Sequence, residues 1–220
     1  MRLAVVIPTL NAGQTLPDTL AALGDHPQEI VVADGGSSDT TLDIANRLGA
    51  RPINAPRGRG AQLQAGIDAT RAPWLLLLHA DTHLASGWHD AACEHAARFP
   101  DSAAYFRFAL RSHDRRARRL ERAVEWRCRL LALPYGDQGL LLPRALLQRI
   151  GGIRPLPLME DVDLVRRIGP GSLRALSVAA QTSPLRWEQH GWLRRSARNL
   201  LCLCLWHAGV SPARIARLYD

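Results

Sequence analysis

The sequence predicts an α/β fold, with a mostly parallel central sheet flanked by helices and a C-terminal helical element. Short apolar runs that stop abruptly at polar residues predict the strands, and the clearest is the run of leucines at 75–78, which ends at His79. Such a run, without alternation, is typical of an interior strand covered on both faces. Helical patterns follow the runs, and strands that alternate with helices indicate βαβ units.

Two earlier segments have the same organisation. Residues 2–7 form an apolar run that is broken at Pro8, and residues 29–33 form another that is broken at Asp34. The carboxyl ends of parallel strands meet at one edge of a sheet, where ligands of open α/β sheets bind. We therefore expect Asn11, Asp34 and Asp81 to lie side by side in a binding site.

Length and composition predict one α/β domain with a small appended element. The chain has 220 residues, 47% of them apolar, which is enough to fill one core. We place the domain at residues 1–185 and a helical extension, packed on the domain or lying at a membrane surface, at 186–220. A strand pattern starts directly after Met1, without the regions of a signal peptide, so we expect a cytoplasmic protein. Peripheral attachment to the inner face of the cell membrane is an open alternative.

The basic residues exclude two classes of enzyme. All 28 are arginine, and the formal net charge is +8. A chain without lysine cannot form a lysine Schiff base or supply a P-loop lysine, which excludes pyridoxal enzymes and P-loop kinases. The cysteines lack metal-ligand spacing, so we expect reduced thiols.

Many of the arginines are concentrated between residues 107 and 129. Apolar residues recur there at spacings of three and four, which predicts an amphipathic helix with the arginines on its other face. That face is either solvated or binds an anionic membrane surface or an anionic substrate. We expect no nucleic-acid partner, because binders of single strands interleave several aromatic side chains with their basic residues.

A strongly apolar segment occupies residues 199–210. It is too short to cross a bilayer, which needs about 20 residues. Arginines precede it and tryptophans surround it, a pattern typical both of a helix at a membrane interface and of a helix that closes a core.

Four motifs together resemble the family 2 glycosyltransferases of the GT-A fold. They are, in the family's order, the strand end at 7–11, the acidic turn at 34–41, the triplet at 79–81 and the acidic pair at 160–161. Segments 136–139 and 209–214 look like those of a compact bacterial branch. The resemblance implies transfer of a sugar from a nucleotide-diphosphate donor, here a UDP-sugar, to an acceptor hydroxyl with inversion. The acceptor itself is not identified, and we expect a lipid or a small molecule.

The resemblance also implies a donor site at the strand ends. In the family, the last acid of a D-x-D motif holds a divalent cation that neutralises the diphosphate, so Asp81 is the expected ligand for Mn²⁺ or Mg²⁺. His79 replaces the first acid of that motif. Asp34 resembles the acid that reads the nucleotide base. The donor-binding residues implied are Pro8, Thr9, Asn11, Asp34, Ala80 and Asp81. Arg59 is a further candidate from its place in a basic loop before a helix, where phosphate or uracil contacts are expected, although a surface turn explains this loop almost as well.

Catalysis requires a base, because the acceptor hydroxyl must lose its proton as it attacks the anomeric carbon. By resemblance Asp161 is that base, and Glu160 contacts the acceptor or positions the loop. Without the resemblance, both would be interpreted as surface carboxylates that stabilise the helix dipole. The acceptor-binding residues implied are Asp137, Gln138 and Trp187.

Two alternatives to a glycosyltransferase stay open. The first is a nucleotidyltransferase of similar fold, although such enzymes usually place a glycine-rich basic loop after the first strand, which residues 9–13 lack. The second is a catalytically silent module that binds nucleotide sugars or membranes. Hydrolysis of the donor would distinguish an enzyme from that module.

Overall fold

The computed structural model describes residues 1–219, in which an eight-stranded sheet lies between two layers of helices. The strands are β1 (Leu3–Thr9), β2 (Glu29–Asp34), β3 (Arg51–Asn54), β4 (Trp74–Leu77), β5 (Thr82–Leu84), β6 (Ala103–Leu110), β7 (Leu140–Pro143) and β8 (Leu173–Thr182). The helices are α1 (Leu16–Leu23), α2 (Thr41–Arg47), α3 (Arg59–Asp68), α4 (Trp88–Arg98), α5 (Arg115–Leu131), α6 (Arg144–Arg149), α7 (Glu160–Ile168), α8 (Leu185–His190), α9 (Trp192–His207) and α10 (Pro212–Tyr219). Short 3-10 turns occupy Gly136–Gln138 and Pro170–Ser172.

The strand order is β3-β2-β1-β4-β7-β6-β8-β5. Strands β3, β2, β1 and β4 are parallel, as expected from their alternation with helices. Beyond β4 the sheet is mixed. Strand β7 enters from the edge where β4 ends, since its first residue Leu140 pairs with Leu77, and it is therefore antiparallel to both β4 and β6. The predicted α/β class is confirmed, with a mixed second half of the sheet.

The central strands are buried on both faces, which explains their uninterrupted apolar runs. In β1, Ala4 and Val6 join one core cluster, while Leu3, Val5 and Ile7 join the other. Helices α1, α2 and α4 cover the second cluster, and α3, α5, α6 and α7 cover the first. The side chains that end β4 are therefore held between two packed layers.

The C-terminal helices complete the first cluster. Trp187 of α8, Trp192 and Leu203 of α9, and Ile215 of α10 are buried in it beside residues of α5 and α7. The inner face of α9 thus closes the core. Within residues 1–219, none of the helices is both long and apolar enough to cross a membrane.

Helix α3 packs closely against β1 at a glycine. A Cβ atom placed on Gly66 would lie 2.3 Å from Cγ1 of Val6, a buried side chain in the middle of β1. Only glycine permits this approach, which brings the first turn of α3 close to the carboxyl ends of β1 and β2.

We predict that Gly66→Ala lowers the free energy of unfolding by about 1–3 kcal/mol, because overpacking outweighs the gain in helix propensity. Gly171→Ala is the matched control, since a Cβ there meets no heavy atom within 4 Å. Urea denaturation of both variants measures the difference. Equal stability of Gly66→Ala and the parent would contradict the close packing of α3 on β1.

Candidate active site

A cleft opens at the edge of the sheet where β4 ends. Its wall is formed by side chains from the segment after β4, the 3-10 turn before β7, the start of α7, and helices α8 and α9. They include Arg59, His79, Asp81, Tyr135, Asp137, Met159, Asp161, Trp187, Arg195 and Asn199. Residues far apart in the sequence therefore meet around one space, as ligand sites of α/β sheets require.

Asp161 is fixed by backbone amides in the first turn of α7. Its Oδ2 accepts a hydrogen bond of 2.8 Å from the backbone N–H of Gly136, and its Oδ1 accepts one of 2.8 Å from the N–H of Val162. A Cβ on Gly136 would lie 2.6 Å from Nε2 of His79, so a larger residue at this position would require the His79 side chain to move. The carboxylate is held in a defined orientation at the cleft.

Glu160 is buried beneath the cleft beside Asp161. Its Oε1 forms an ion pair of 3.1 Å with Nη1 of Arg59, the first residue of α3. Burial raises the pKa of Glu160, the neighbouring Asp161 carboxylate raises it further, and the Arg59 guanidinium opposes both. Glu160 is thus placed to hold α3 and α7 together.

Asp137 is the most perturbed acid of the cleft. Burial raises its pKa to about 6; Arg127 opposes the shift, and the carboxylates of Asp161 and Asp81 add to it. Its Oδ1 is buried without a hydrogen-bond partner. A buried acceptor without a donor is costly, and such groups are concentrated at functional sites.

Asp34 organises a network beside the cleft. Oδ1 accepts hydrogen bonds from the hydroxyls of Thr9 (2.8 Å) and Ser37 (2.5 Å), and Oδ2 accepts from the N–H groups of Gly36 (3.0 Å) and Ser37 (2.7 Å). Burial alone would raise the pKa of Asp34, but the hydrogen bonds from Ser37, Thr9 and Gly36 outweigh it and lower that pKa. Asp34 is therefore ionised and saturated with internal donors.

The loop after β1 is tied to the loop after β2. Asn11 has a positive φ of 52°; its N–H donates to Ser37 Oγ (2.7 Å) and its Oδ1 accepts from the N–H of Ser38 (2.9 Å). Asp39 accepts from the N–H groups of Gly13 and Thr41, at 2.9 and 3.0 Å, and so joins the loop after β1 to the first residue of α2. Pro8, at the end of β1, is half-buried.

Sequence reasoning assigned no structural role to Gln62, which joins β1 and β2. Its Nε2 donates to the carbonyl oxygens of Thr9 (2.6 Å) and Ala33 (2.9 Å) at the two strand ends. On the other side, the hydroxyl of Thr19 donates to the carbonyl of Ala80 (2.9 Å), which anchors the segment before Asp81 to α1. The strand ends are held by side chains from flanking helices.

The structure does not bring every predicted residue to the cleft. Arg59, Asp81, Asp137, Asp161 and Trp187 line it together. The Asn11 and Asp34 network forms the neighbouring pair of loops. Gln138 instead points into the core, where it is 1% exposed and its Nε2 donates to the carbonyl of Phe106 at 3.1 Å. The side chain holds the 3-10 turn on β6, and the expected contact of Gln138 with the acceptor stays a prediction.

Helices α8 and α9 contribute polar atoms that sequence reasoning missed. Arg195 and Asn199 are one turn apart on α9 and line the cleft, and the Arg195 guanidinium lies 4.8 Å from the ring centroid of Trp187. Trp187 is 7% exposed, and its Nε1 and Asn199 Oδ1 are buried without hydrogen-bond partners. The i, i+4 spacing places both side chains on one face of α9, but Arg194, Ser196 and Arg198 lie in the same turns, so the sequence does not single out this pair.

The side chains of the cleft fit a divalent cation whose remaining ligands come from a bound substrate. Within residues 1–219, no group of three or more His, Cys, Asp or Glu side chains forms a metal cage. Asp81 and Asp137 nevertheless line one cleft with His79; Oδ1 of Asp137 lacks a hydrogen-bond partner, and burial, followed by the carboxylates of Asp161 and Asp81, raises the pKa of Asp137. Mg²⁺-type sites commonly use one or two carboxylates and take further ligands from substrate phosphates and water.

Solved structures with similar folds are GT-A glycosyltransferases. TarS residues 1–349 of Staphylococcus aureus superimpose with a TM-score of 0.67 at 15% identity, over 100% of this chain and 69% of that protein. Glucosyl-3-phosphoglycerate synthase of Mycobacterium tuberculosis, crystallised with Mn²⁺, uridine diphosphate and glucosyl-3-phosphoglycerate, gives 0.57 at 21% identity, over 91% and 78% of the two chains. The fold is therefore GT-A.

The sequence comparison is more specific than the fold. Residues 4–155 match the model of glycosyl transferase family 2, and the chain belongs to that family. A PGL/p-HBAD biosynthesis glycosyltransferase of Mycobacterium bovis is 40% identical over 37% of this chain. The match spans only 36% of that relative's length.

We predict that Asp137→Asn stabilises the protein above pH 6 and has a much smaller effect near pH 4. When the pKa of an acid is higher in the folded than in the unfolded protein, the protein loses stability as pH rises between the two values, here from 3.8 to about 6. The gain at pH 8 is at most about 3 kcal/mol. Thermal unfolding of both proteins across this range measures it, and a gain independent of pH would contradict the assignment.

Proposed function

We propose that the chain transfers a sugar from a UDP-sugar to an acceptor hydroxyl with inversion at the anomeric carbon. The observation that carries this proposal is the Asp161 carboxylate, oriented by the N–H of Gly136 in the same cleft as Asp81. Family membership supports the reaction class. The uridine diphosphate bound to glucosyl-3-phosphoglycerate synthase, a structural neighbour, supports the choice of nucleotide.

The donor nucleotide is expected at the loops after β1 and β2. The uracil N3–H would replace the Ser37 hydroxyl at Oδ1 of Asp34, while Pro8, Thr9 and Asn11 line the same pocket. The diphosphate would extend along Ala80 toward Arg59. That guanidinium stands at the first residue of α3, where the helix dipole also favours an anion.

A divalent cation, Mn²⁺ or Mg²⁺, would be held by Asp81, with His79 and Asp137 as the neighbouring candidates. When bound, it would neutralise the charge that develops on the leaving diphosphate. Burial is the main reason that the pKa of Asp137 is raised, and the carboxylates of Asp161 and Asp81 add to it; a cation would offset both effects.

Asp161 would act as the general base. The acceptor hydroxyl donates its hydrogen bond to the carboxylate, and its proton passes to Asp161 as its oxygen bonds to the anomeric carbon. The bond between that carbon and the phosphate oxygen breaks, and the diphosphate leaves with the electron pair. Base and leaving group lie on opposite faces of the sugar, so a single displacement inverts the configuration.

The acceptor would bind where α8 and α9 meet the cleft. The indole N–H of Trp187 offers a donor, and Oδ1 atoms of Asn199 and Asp137 offer acceptors, all buried and unpaired. Hydroxyl groups satisfy both kinds of atom, which favours an acceptor with more than one hydroxyl. We propose that residues 1–185 carry the donor site and that the extension at 186–220 completes the acceptor wall; residue 220 itself lies outside the described residues.

The two alternatives to a glycosyltransferase, the cellular location and the membrane association are not decided by the fold. Family membership weighs against a nucleotidyltransferase, and turnover of a donor would exclude a silent module. A cytoplasmic location stays a prediction. Association of the arginine-rich helix α5 with an anionic membrane surface stays a prediction as well.

We predict that Asp161→Asn keeps donor affinity but lowers turnover by roughly 10²-fold or more, because it removes proton acceptance and one of the two hydrogen bonds from backbone N–H groups, while the loops after β1 and β2 are unchanged. Calorimetry with UDP measures affinity, and UDP release from UDP-glucose and UDP-N-acetylglucosamine, with water as acceptor, measures turnover. Unchanged turnover would refute the base, and loss of UDP binding would move Asp161 into the donor site.

Asp163→Asn is the matched control on the same helix. Asp163 pairs with Arg154 at 2.9 Å and with Arg167 at 2.7 Å, and it does not line the cleft. The variant should lower the free energy of unfolding while turnover per folded molecule stays near the parental value.

We predict that Asp81→Asn removes the part of UDP binding that depends on Mn²⁺ and leaves the fold intact. Thermal shift with UDP, with and without Mn²⁺, measures this, because a ligand stabilises the state that binds it. Asp90→Asn, at an exposed position in α4, is the control. Undiminished Mn²⁺-dependent stabilisation of the Asp81 variant would remove Asp81 from the cation site.

A further inference from the structure

Helix α9 has a second apolar face that points away from the core. Its inner side chains are buried, yet Leu193 is 88% exposed and Leu200 is 61% exposed. Exposed residues recur along this outer face at spacings of three and four: Leu193, Ala197, Leu200, Leu201 and Cys204. A helix that is apolar on both faces is not explained by packing on its own domain, because only one face meets the core.

Helix α5 presents a basic outer face with an exposed tryptophan. Arg115, Arg119, Arg122 and Trp126 lie on one side of the helix, three or four residues apart, and Trp126 is 64% exposed. Its neighbour Leu130 continues the same face. Arginines surrounding a tryptophan and a leucine are typical of helices that lie at a membrane interface.

The two helices are neighbours on one side of the molecule. The Arg116 guanidinium at the start of α5 lies 5.6 Å from the ring centroid of Trp192 at the start of α9. Buried residues of both helices belong to the same core cluster, on one face of the sheet. Helices α5 and α9 therefore belong to one layer of helices, and their outer faces lie on the same side of the molecule.

The charge of the outer faces of α5 and α9 indicates which kind of partner binds them. From residue 192 to residue 219 the sequence has arginines but no aspartate or glutamate, and α5 has seven arginines against two glutamates, Glu121 and Glu125. A second copy of the chain would bring the same positive charge against itself, which disfavours a symmetric dimer through these faces. A bilayer with anionic headgroups supplies apolar depth and the opposite charge together.

We propose that the outer faces of α5 and α9 dock the protein on an anionic lipid bilayer. The leucines of α9 and Trp126 enter the interfacial region, and the arginines of α5 contact lipid phosphates. Because the inner face of α9 lines the cleft through Arg195 and Asn199, the cleft then lies next to the lipid surface. The proposal is independent of the transfer chemistry, since it concerns a surface outside the cleft.

The test is cosedimentation of the full chain with vesicles, without donor or acceptor. Vesicles of phosphatidylcholine are compared with vesicles that also contain about one third phosphatidylglycerol. We expect binding to the anionic vesicles alone, with affinity that falls as salt rises, because salt screens exposed charges.

Two variants test the two faces separately. Arg115→Gln with Arg119→Gln and Arg122→Gln should weaken binding by roughly fivefold per arginine, since each basic residue near such a surface contributes about that factor. Leu193→Gln with Leu200→Gln should also weaken binding while leaving the core unchanged. Arg47→Gln with Leu48→Gln is the matched control on α2, where Leu48 is 47% exposed on the opposite layer; it should bind like the parent.

Absence of binding to anionic vesicles would overturn the proposal. Equal loss of binding in the α2 control would overturn it too, since attraction would then come from net charge alone. Sedimentation velocity adds a further outcome: a dimer that the Leu193 and Leu200 substitutions dissociate, without lipid binding, would make this surface an interface between copies.

Discussion

The cleft depends on one hydrogen bond, from the backbone N–H of Gly136 to Oδ2 of Asp161. It joins the turn before β7 to the first turn of α7. Because Gly136 has no Cβ, the same turn also lies against His79, at the end of β4. Three segments meet there, and each carries one carboxylate: Asp81, Asp137 and Asp161. A side chain at position 136 would displace the His79 ring, which lies against this turn.

The close approach of these segments concentrates negative charge. Asp161 raises the pKa of both Asp137 and Glu160, after burial, while arginines oppose the shift. Such repulsion costs stability, and a fold retains it where a ligand offsets it. The Arg59–Glu160 pair places one positive group at the margin of the cleft, and a cation beside Asp81 would supply more. Positive charge beside these carboxylates would therefore both offset their repulsion and serve the proposed transfer reaction.

The sequence predicted those elements whose signal is local. Uninterrupted apolar runs identified β1, β2 and β4, because burial on both faces removes alternation, and the polar residues that stopped them placed Asp34 and Asp81 at strand ends. Strand β7 lies antiparallel between β4 and β6 because α5 ends near the edge of the sheet where β4 ends. This depends on tertiary packing, so no local sequence pattern predicts it. Asp137 and Gln138 are adjacent in a 3-10 turn and point in opposite directions, so their pattern did not reveal that Gln138 is buried. Arg195 and Asn199 were missed because only the packing of α9 decides which of its faces meets the cleft.

Asp34 has a structural role in the loop after β2 that is compatible with the binding role proposed for it. Four donors saturate its carboxylate, and two of them are the N–H groups of Gly36 and Ser37, which fix the loop after β2. The other two are hydroxyls, which can rotate without moving the backbone. If a uracil N3–H replaces the Ser37 hydroxyl at Oδ1, the number of hydrogen bonds on the carboxylate is conserved, so the exchange costs little. The loop keeps its shape because its backbone donors remain, and the nucleotide meets a site that is already formed.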